Sequence, residues 1–136
     1  MSARSKARKR ALDVLYAADM RGETGVEAFL RISAETEAPT NPYTEVLVRG
    51  VTEHQERIDE VLEEYAEGWT LARMPAVDRN VLRIGAFEVL FAEDIPDPVA
   101  VSEALALVTE LSTDESPSFV NGVLGAIVRY KAALLG

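Results

Sequence analysis

Apolar residues recur at steps of three and four positions along almost the whole chain, and this spacing constrains its fold more than any other feature. One example is the series Ala7, Ala11, Leu15 and Ala18, with Val14 beside it. Residues spaced in this way lie along one face of an α-helix, whereas a half-buried β-strand requires strict alternation of apolar and polar residues. No alternating stretch of useful length is present, so the sequence predicts an all-α protein.

Turn and capping residues divide the apolar pattern into separate helices. Gly22 is a typical residue just after a helix end, and Asn41-Pro42 combines a capping residue with proline at the first helical position. The first predicted helix ends near Arg21, and the others span Val26–Ala34, Pro42 to about Gly68, Val77–Phe91, a segment from Val101 to Leu111, and Pro117 to about Leu134. We therefore expect residues 1–136 to form a single domain, a compact bundle of six or seven helices.

The predicted helix Val77–Phe91 is apolar around most of its circumference, which is typical of a helix at the centre of a bundle. Gly85 within it costs about 1 kcal/mol of helix propensity relative to alanine, so we expect a neighbouring helix to approach closely there. Asp78, Arg79 and Glu88 interrupt the apolar surface. Such charges either form ion pairs inside the protein or contribute to a surface for a protein partner.

Basic residues are concentrated at the start of a chain that is acidic as a whole. The formal net charge is −9, yet five of the 14 basic residues lie among the first ten positions, which contain no acidic residue. These five are Arg4, Lys6, Arg8, Lys9 and Arg10. Since the helical pattern includes this region, the basic side chains are held on the first turns of a helix, where several can reach one phosphate backbone. The alternative is an exposed, solvated basic segment without a ligand.

Few residues of the chain are suited to catalysis or metal binding. The absence of cysteine excludes disulfides, a thiolate nucleophile and a thiolate zinc site. The single histidine, His54, lies on the apolar face of the third predicted helix and is interpreted as a packed residue. Glycine-rich phosphate loops and nucleophile motifs are missing from the sequence. We expect no enzymatic activity, no cofactor and no metal.

The sequence also carries no feature that indicates a membrane. No run approaches the roughly 18 apolar residues of a spanning helix. The basic N-terminal segment is not followed by the apolar region of a secretory signal. The expected location is the cytoplasm, without a membrane partner.

Four stretches form a more specific combination. They are Arg8 to Tyr16, Val77 to Leu90, Val99 to Ala104, and Ser116 to Leu124, and the last contains Phe119-Val120-Asn121-Gly122-Val123-Leu124. In order, spacing and character these stretches resemble the NusB family, and the resemblance extends over nearly the whole chain. It implies an all-helical protein with a role in transcription antitermination on ribosomal RNA operons. Members of the family bind a boxA element in the nascent transcript as a heterodimer with the small-subunit ribosomal protein NusE, and they join an antitermination complex on RNA polymerase.

Single-stranded RNA also needs flat surfaces, because unpaired bases gain from stacking on aromatic rings. Tyr16 and Phe119 are the candidates for this role. Phe119 lies with Ser116 in the first turn of the last predicted helix, where free backbone N–H groups and the helix dipole favour a phosphate. We therefore predict that RNA contacts the basic residues of the first helix together with Tyr16, Ser116 and Phe119. This interpretation requires Arg8 and Phe119 to lie on one surface.

Several alternatives are open at this point. In one alternative to the RNA contacts, Tyr16 and Phe119 are aromatic residues of the core. In another, Asn121 and Gly122 serve helix packing. Asp78, Arg79 and Glu88 are the predicted contacts of the protein partner.

The function itself has an alternative of a different class. A helical protein-interaction adaptor that does not touch RNA explains the same basic segment if its partner is acidic. A homodimer is also compatible with the sequence, and if it buried the first helix it would hide the RNA surface.

Overall fold

A computed structural model describes residues 2–37 and 39–136, and within them it contains seven α-helices and no β-strand. The helices are α1 (Ala3–Arg21), α2 (Gly25–Glu35), α3 (Pro42–Tyr65), α4 (Ala76–Phe91), α5 (Asp97–Leu111), α6 (Ser116–Arg129) and α7 (Lys131–Leu135). A single 3-10 turn, Leu71–Arg73, lies between α3 and α4. The predicted fold class and helix number are confirmed.

Most helix boundaries follow the capping residues. Gly22 has a left-handed φ of 68°, and its N–H caps the end of α1 by donating to the carbonyl of Ala18. The Asn41 Oδ1 accepts a hydrogen bond of 2.8 Å from the backbone N–H of Tyr43, so the helix α3 begins at Pro42. These positions agree with the predicted boundaries.

The end of the chain differs from the prediction of one helix continuing to about Leu134. The helix α6 stops at Arg129, and Tyr130 has φ −101° and ψ 12° before α7 begins at Lys131. No glycine or proline marks this break in the sequence. The ring of Tyr130 stacks on Tyr65 of α3 at 5.7 Å between centroids and 11° between planes, and this tertiary contact accompanies the interruption.

Residues 1–54 and residues 55–136 form two compact units, and the boundary between them falls within α3. In the first unit α1 packs against α2. The face of α1 formed by Ala7, Ala11, Leu15 and Ala18 is buried, as the apolar spacing predicts. The start of α3 is fastened to α1, since the Thr44 hydroxyl donates to the Ala7 carbonyl at 3.1 Å.

In the second unit α4 is the central helix and packs against both α5 and α6. Its residues from Asn80 to Leu90 are all buried. A Cβ atom added at Gly85 would lie 2.8 Å from Leu124 Cδ1 of α6 and 3.6 Å from Ala104 Cβ of α5. The expected close approach of a neighbouring helix at Gly85 is therefore confirmed.

An ion pair at the end of α1 makes the stability of the first unit depend on pH. Arg31 of α2 donates two hydrogen bonds to the Glu23 carboxylate, at 2.8 and 3.0 Å, and these bonds lower the pKa of Glu23 below its ordinary value of 4.5. A carboxyl group whose pKa is lower in the folded protein stabilises it above the unfolded-state pKa, and this contribution disappears as the pH falls through the folded-state pKa.

Glu23→Gln should therefore lose less stability on acidification than the wild-type protein. Urea unfolding followed at several pH values between neutral pH and about pH 3 would measure the difference. Glu45→Gln is a matched control, because the Glu45–Arg49 pair is far more exposed. Identical acid profiles for Glu23→Gln and wild type would contradict the role of this pair.

Candidate nucleic-acid interface

The basic residues of α1 are divided by the structure into exposed and buried groups. Arg4, Lys6 and Arg10 are exposed, and Lys9 is half-buried. The predicted contact of Arg8 with RNA requires a position at the surface, but Arg8 is only 2% exposed. The reason is that Arg8 faces the start of α3, where its guanidinium lies over the ring of Tyr43.

The ring of Tyr43, in the first turn of α3, accounts for the position of two of these arginines. The guanidinium carbon of Arg4 is 4.6 Å from the Tyr43 ring centroid, and that of Arg8 is 5.5 Å from it. Cations at such distances from an aromatic face are attracted by its quadrupole. The sequence analysis did not identify Tyr43, although its place directly after the Asn41-Pro42 cap puts it at a fixed helix start.

A pocket of about 340 Å³ lies beside this cluster, between the first turns of α1 and the segment that leads into α3. Its polar lining consists of Lys6, Arg10, Thr40, Asn41 and Thr44. Asp13, one turn beyond Arg10 on α1, is a nearby carboxyl group with a shifted pKa. Burial raises the pKa of Asp13, and the charges of Arg10 and Lys9 oppose that change.

Tyr16 lies further along α1 and is 41% exposed. This exposure rules out the alternative that Tyr16 is a core aromatic residue. Its ring is available to a ligand, and its contact with RNA stays a prediction.

In the second unit Phe119 forms an aromatic cleft with Trp69. The two ring centroids are 6.0 Å apart with planes tilted by 56°. A largely apolar pocket of about 350 Å³ is lined by both rings together with Pro75 and Glu115. Phe119 is half-buried and Trp69 is 47% exposed, so the cleft offers aromatic surface to solvent. The sequence analysis did not identify Trp69, which lies in the connection between α3 and α4.

Ser116 lines this cleft, but it is almost completely buried. It is 1% exposed, and its hydroxyl donates to the Asp78 carboxylate at 2.9 Å. Its Oγ also accepts a hydrogen bond of 3.3 Å from the backbone N–H of Thr113. The prediction that Ser116 contacts RNA directly is therefore corrected. Its hydroxyl instead holds the first turn of α6 against α4.

The predicted partner surface on α4 is corrected for two of its three residues. Asp78 and Glu88 are both buried. Asp78 accepts hydrogen bonds from Ser112 at 2.6 Å and from Ser116, so the carboxylate is satisfied inside the protein. Arg79 is half-buried, and its guanidinium donates to the carbonyls of Leu71 and Met74.

Asn121 and Gly122 are exposed on α6. A Cβ atom added at Gly122 would have no atom within 4 Å. The interpretation that these two residues serve helix packing is therefore wrong. That Arg8 and Phe119 lie on one surface stays a prediction, since Arg8 belongs to the first unit and Phe119 to the second.

The described part of the chain, residues 2–37 and 39–136, contains no cluster of three or more histidine, aspartate or glutamate side chains that could hold a metal ion. In the same residues no helix has the length and apolar character needed to cross a bilayer.

Comparison with known proteins gives consistent results over the whole length. The NusB family model matches residues 5–129. The transcription antitermination protein NusB of a Nocardioides species is 70% identical over 134 residues, which cover 98% of this chain and 99% of that protein. The protein of the same description from Saccharopolyspora erythraea is 60% identical, with 100% and 96% of the two chains covered.

Two solved structures are similar in both sequence and fold. The structure of T. maritima NusB has a TM-score of 0.84 and 30% identity, covering 95% of this chain and 92% of that one. A chain of the crystal structure of antitermination factors NusB and NusE in complex with dsRNA has a TM-score of 0.81 and 32% identity. This second match covers 93% of the present chain and 96% of the other.

Proposed function

The chain belongs to the NusB family, and from this premise we propose that it is a transcription antitermination factor that binds RNA together with NusE. One observation of the structure carries the proposal: exposed Arg4, Lys6 and Arg10 lie together on the first turns of α1 in a protein of net charge −9. A basic cluster on an acidic protein attracts phosphates locally while the rest of the surface repels them.

The RNA is a boxA-type element of ribosomal RNA operon transcripts, as the family resemblance implies. The similar structure that contains NusB, NusE and dsRNA supports a complex in which both RNA and NusE are present. Such a complex joins RNA polymerase during antitermination. The adaptor that does not touch RNA is not favoured by this similarity.

The site residues have two kinds of role in this proposal. Arg4, Lys6, Lys9 and Arg10 contact phosphates, and Tyr16 and Phe119 provide rings for bases. Arg8 and Ser116 are buried and act indirectly. Arg8 supports the Tyr43 cluster, and Ser116 holds the first turn of α6, in which Phe119 lies.

NusE is the proposed protein partner, and Arg79 is the accessible residue among the three predicted for its surface. We propose that residues 1–136 act as one domain, because the family model spans residues of both compact units. The role is regulatory and not catalytic. It is exercised in the cytoplasm, where transcription takes place in bacterial relatives. Sedimentation with and without RNA tests for a homodimer that hides the first helix, and RNA bound to an intact dimer would contradict this masking.

Gel-shift titration of boxA-type single-stranded RNA, with and without NusE, tests the proposal. We expect binding that weakens steeply with salt, since each neutralised phosphate of a single strand contributes about −0.7 to the slope of log affinity against log salt concentration. A scrambled RNA of equal length is the control for sequence preference. An RNA duplex should be included as a competitor, because the similar NusB–NusE structure contains dsRNA. The proposal fails if neither RNA binds in the presence or the absence of NusE.

A further inference from the structure

The cleft between Trp69 and Phe119 has an acidic residue at its rim in addition to its two aromatic walls. Glu115 lines the cleft and is exposed. It directly precedes the helix α6, but its side chain makes no capping hydrogen bond to that helix. Within residues 2–37 and 39–136 the Glu115 carboxylate forms neither a hydrogen bond nor a salt bridge. Both of its oxygens are therefore available to a ligand in the cleft.

The other acidic and hydroxyl side chains that line the cleft are bonded to one another. The Ser116 hydroxyl donates to the Asp78 carboxylate at 2.9 Å, and the hydroxyl oxygens of Thr113 and Ser116 are also 2.9 Å apart. A ligand that competed for these groups would have to break existing hydrogen bonds, which costs free energy. Glu115 is therefore the acidic side chain of the cleft that can bind a ligand without such a cost.

The aromatic walls of the cleft are held in place without a ligand. The backbone N–H of Trp69 donates to the Ala66 carbonyl at 2.9 Å. Arg79 of α4 donates to the carbonyls of Leu71 and Met74 at 2.8 and 3.3 Å, so the connection that carries Trp69 is fastened to α4. The volume of about 350 Å³ lies within the range of roughly 300–1,000 Å³ that is typical of small-ligand sites. Binding to such a preformed site avoids the cost of ordering it.

Aromatic walls beside a carboxylate match one nucleobase better than the others. A carboxylate only accepts hydrogen bonds. Guanine has two adjacent donors on its Watson–Crick edge, the N1–H and the N2 amino group, and it can donate both to one carboxylate. Adenine and cytosine carry an acceptor nitrogen next to their amino group, and the N3–H of uracil lies between two carbonyl oxygens. In these three bases an acceptor would face the carboxylate, which is unfavourable.

We propose that the Trp69–Phe119 cleft selects an unpaired guanine of the RNA, whose Watson–Crick edge donates two hydrogen bonds to the Glu115 carboxylate. The proposal rests on the function proposed above and deepens it, because it names the base that this cleft binds. The guanine ring stacks on Phe119, and Trp69 is a second aromatic contact. Glu115 is the residue that determines specificity, and its negative charge disfavours a phosphate at this position.

A purine series tests the proposal in the full-length protein. Short uridine-rich RNAs that differ only in one central guanine, inosine or adenine are titrated with and without NusE, and fluorescence anisotropy of a label on the RNA gives the affinities. All three bases stack as purines, whereas inosine lacks the N2 amino group of guanine. We expect guanine RNA to bind roughly tenfold more tightly than inosine RNA, the low end of the effect of a hydrogen bond to a charged group. Trp69 is the single tryptophan of the chain, so quenching of its fluorescence by guanine RNA without NusE locates the base in the cleft.

Glu115→Ala should bring the affinity ratio of guanine to inosine RNA close to one. Asp114→Ala is the matched control, since it removes the same charge from an adjacent exposed residue that does not line the cleft, and it should keep the wild-type ratio. This ratio does not depend on net charge, because the RNAs carry the same number of phosphates. Far-UV circular dichroism confirms that both variants are folded. A ratio that is unchanged in Glu115→Ala would overturn the role of Glu115.

Failure of the guanine site and failure of the RNA function give different results. If wild-type protein binds the three RNAs equally well, the selection of guanine is wrong and the function stands. If no RNA binds with or without NusE, the RNA function fails, and guanosine and inosine monophosphates are titrated while Trp69 fluorescence is followed. Stronger quenching by guanosine monophosphate that is lost in Glu115→Ala would then retain a guanine site without the RNA function. Equal quenching by both nucleotides, or none, would overturn the site as well.

Discussion

Phe119→Ala is expected to weaken the binding of boxA-type RNA by about five- to 150-fold. The loss of one aromatic platform costs about 1–3 kcal/mol per stacked base in single-strand complexes. Phe119 is half-buried against Trp69 in the cleft of the second unit, so its ring is held in place before a base arrives. Gel shift or fluorescence anisotropy would measure the change.

The salt dependence distinguishes this ring from the basic residues of α1. Phe119→Ala should leave the slope unchanged, because stacking releases no counterions, whereas Lys6→Gln/Arg10→Gln makes it shallower. Phe119→Tyr retains a ring and should bind nearly as well as wild type. Tyr130→Ala is the matched control, since it removes another half-exposed ring of the second unit, one that stacks on Tyr65. Wild-type affinity in Phe119→Ala would exclude stacking on this residue.

The features that could be predicted from the sequence are those fixed by local chemistry. The apolar face of α1, the end of α1 at Gly22 and the start of α3 at Pro42 depend on periodicity and capping within one segment. The close approach at Gly85 was also predictable, because an unfavourable glycine in a buried helix requires a reason from packing. In each case the sequence of a few adjacent residues contains the necessary information.

Burial of individual charged residues required the tertiary structure. Helical spacing places Arg4 and Arg8 on one face, but it does not show that the start of α3 covers Arg8. Asp78 and Ser116 are 38 positions apart, and their hydrogen bond exists only because α6 packs on α4. Tyr43 and Trp69 could not be identified from the sequence for the same reason. Each gains its role from a residue that is distant in sequence.

Asp59→Ala should lower the free energy of unfolding by about 3 kcal/mol, the low end of the range for breaking a buried ion pair. Asp59 of α3 accepts hydrogen bonds of 2.9 and 3.0 Å from Arg83 of the central helix α4. Arg83 is only 8% exposed, and its Nη1 also donates to Asn80 Oδ1 at 3.2 Å. Removing the Asp59 carboxylate takes two charge-assisted hydrogen bonds and a negative charge away from a guanidinium that is almost completely buried.

Urea unfolding followed by Trp69 fluorescence and by far-UV circular dichroism measures this effect. Glu60→Ala is the control, because the adjacent Glu60 forms an exposed pair with Arg57 and should cost under about 1 kcal/mol. Equal destabilisation by the two variants would show that the Arg83 charge is not buried in solution. Asp59→Ala combined with Arg83→Met should recover part of the loss, since the buried cation is removed together with its carboxylate partner. If residues 1–136 act as one domain, both probes report the same midpoint, because loss of the α3–α4 ion pair then destabilises the first unit as much as the second.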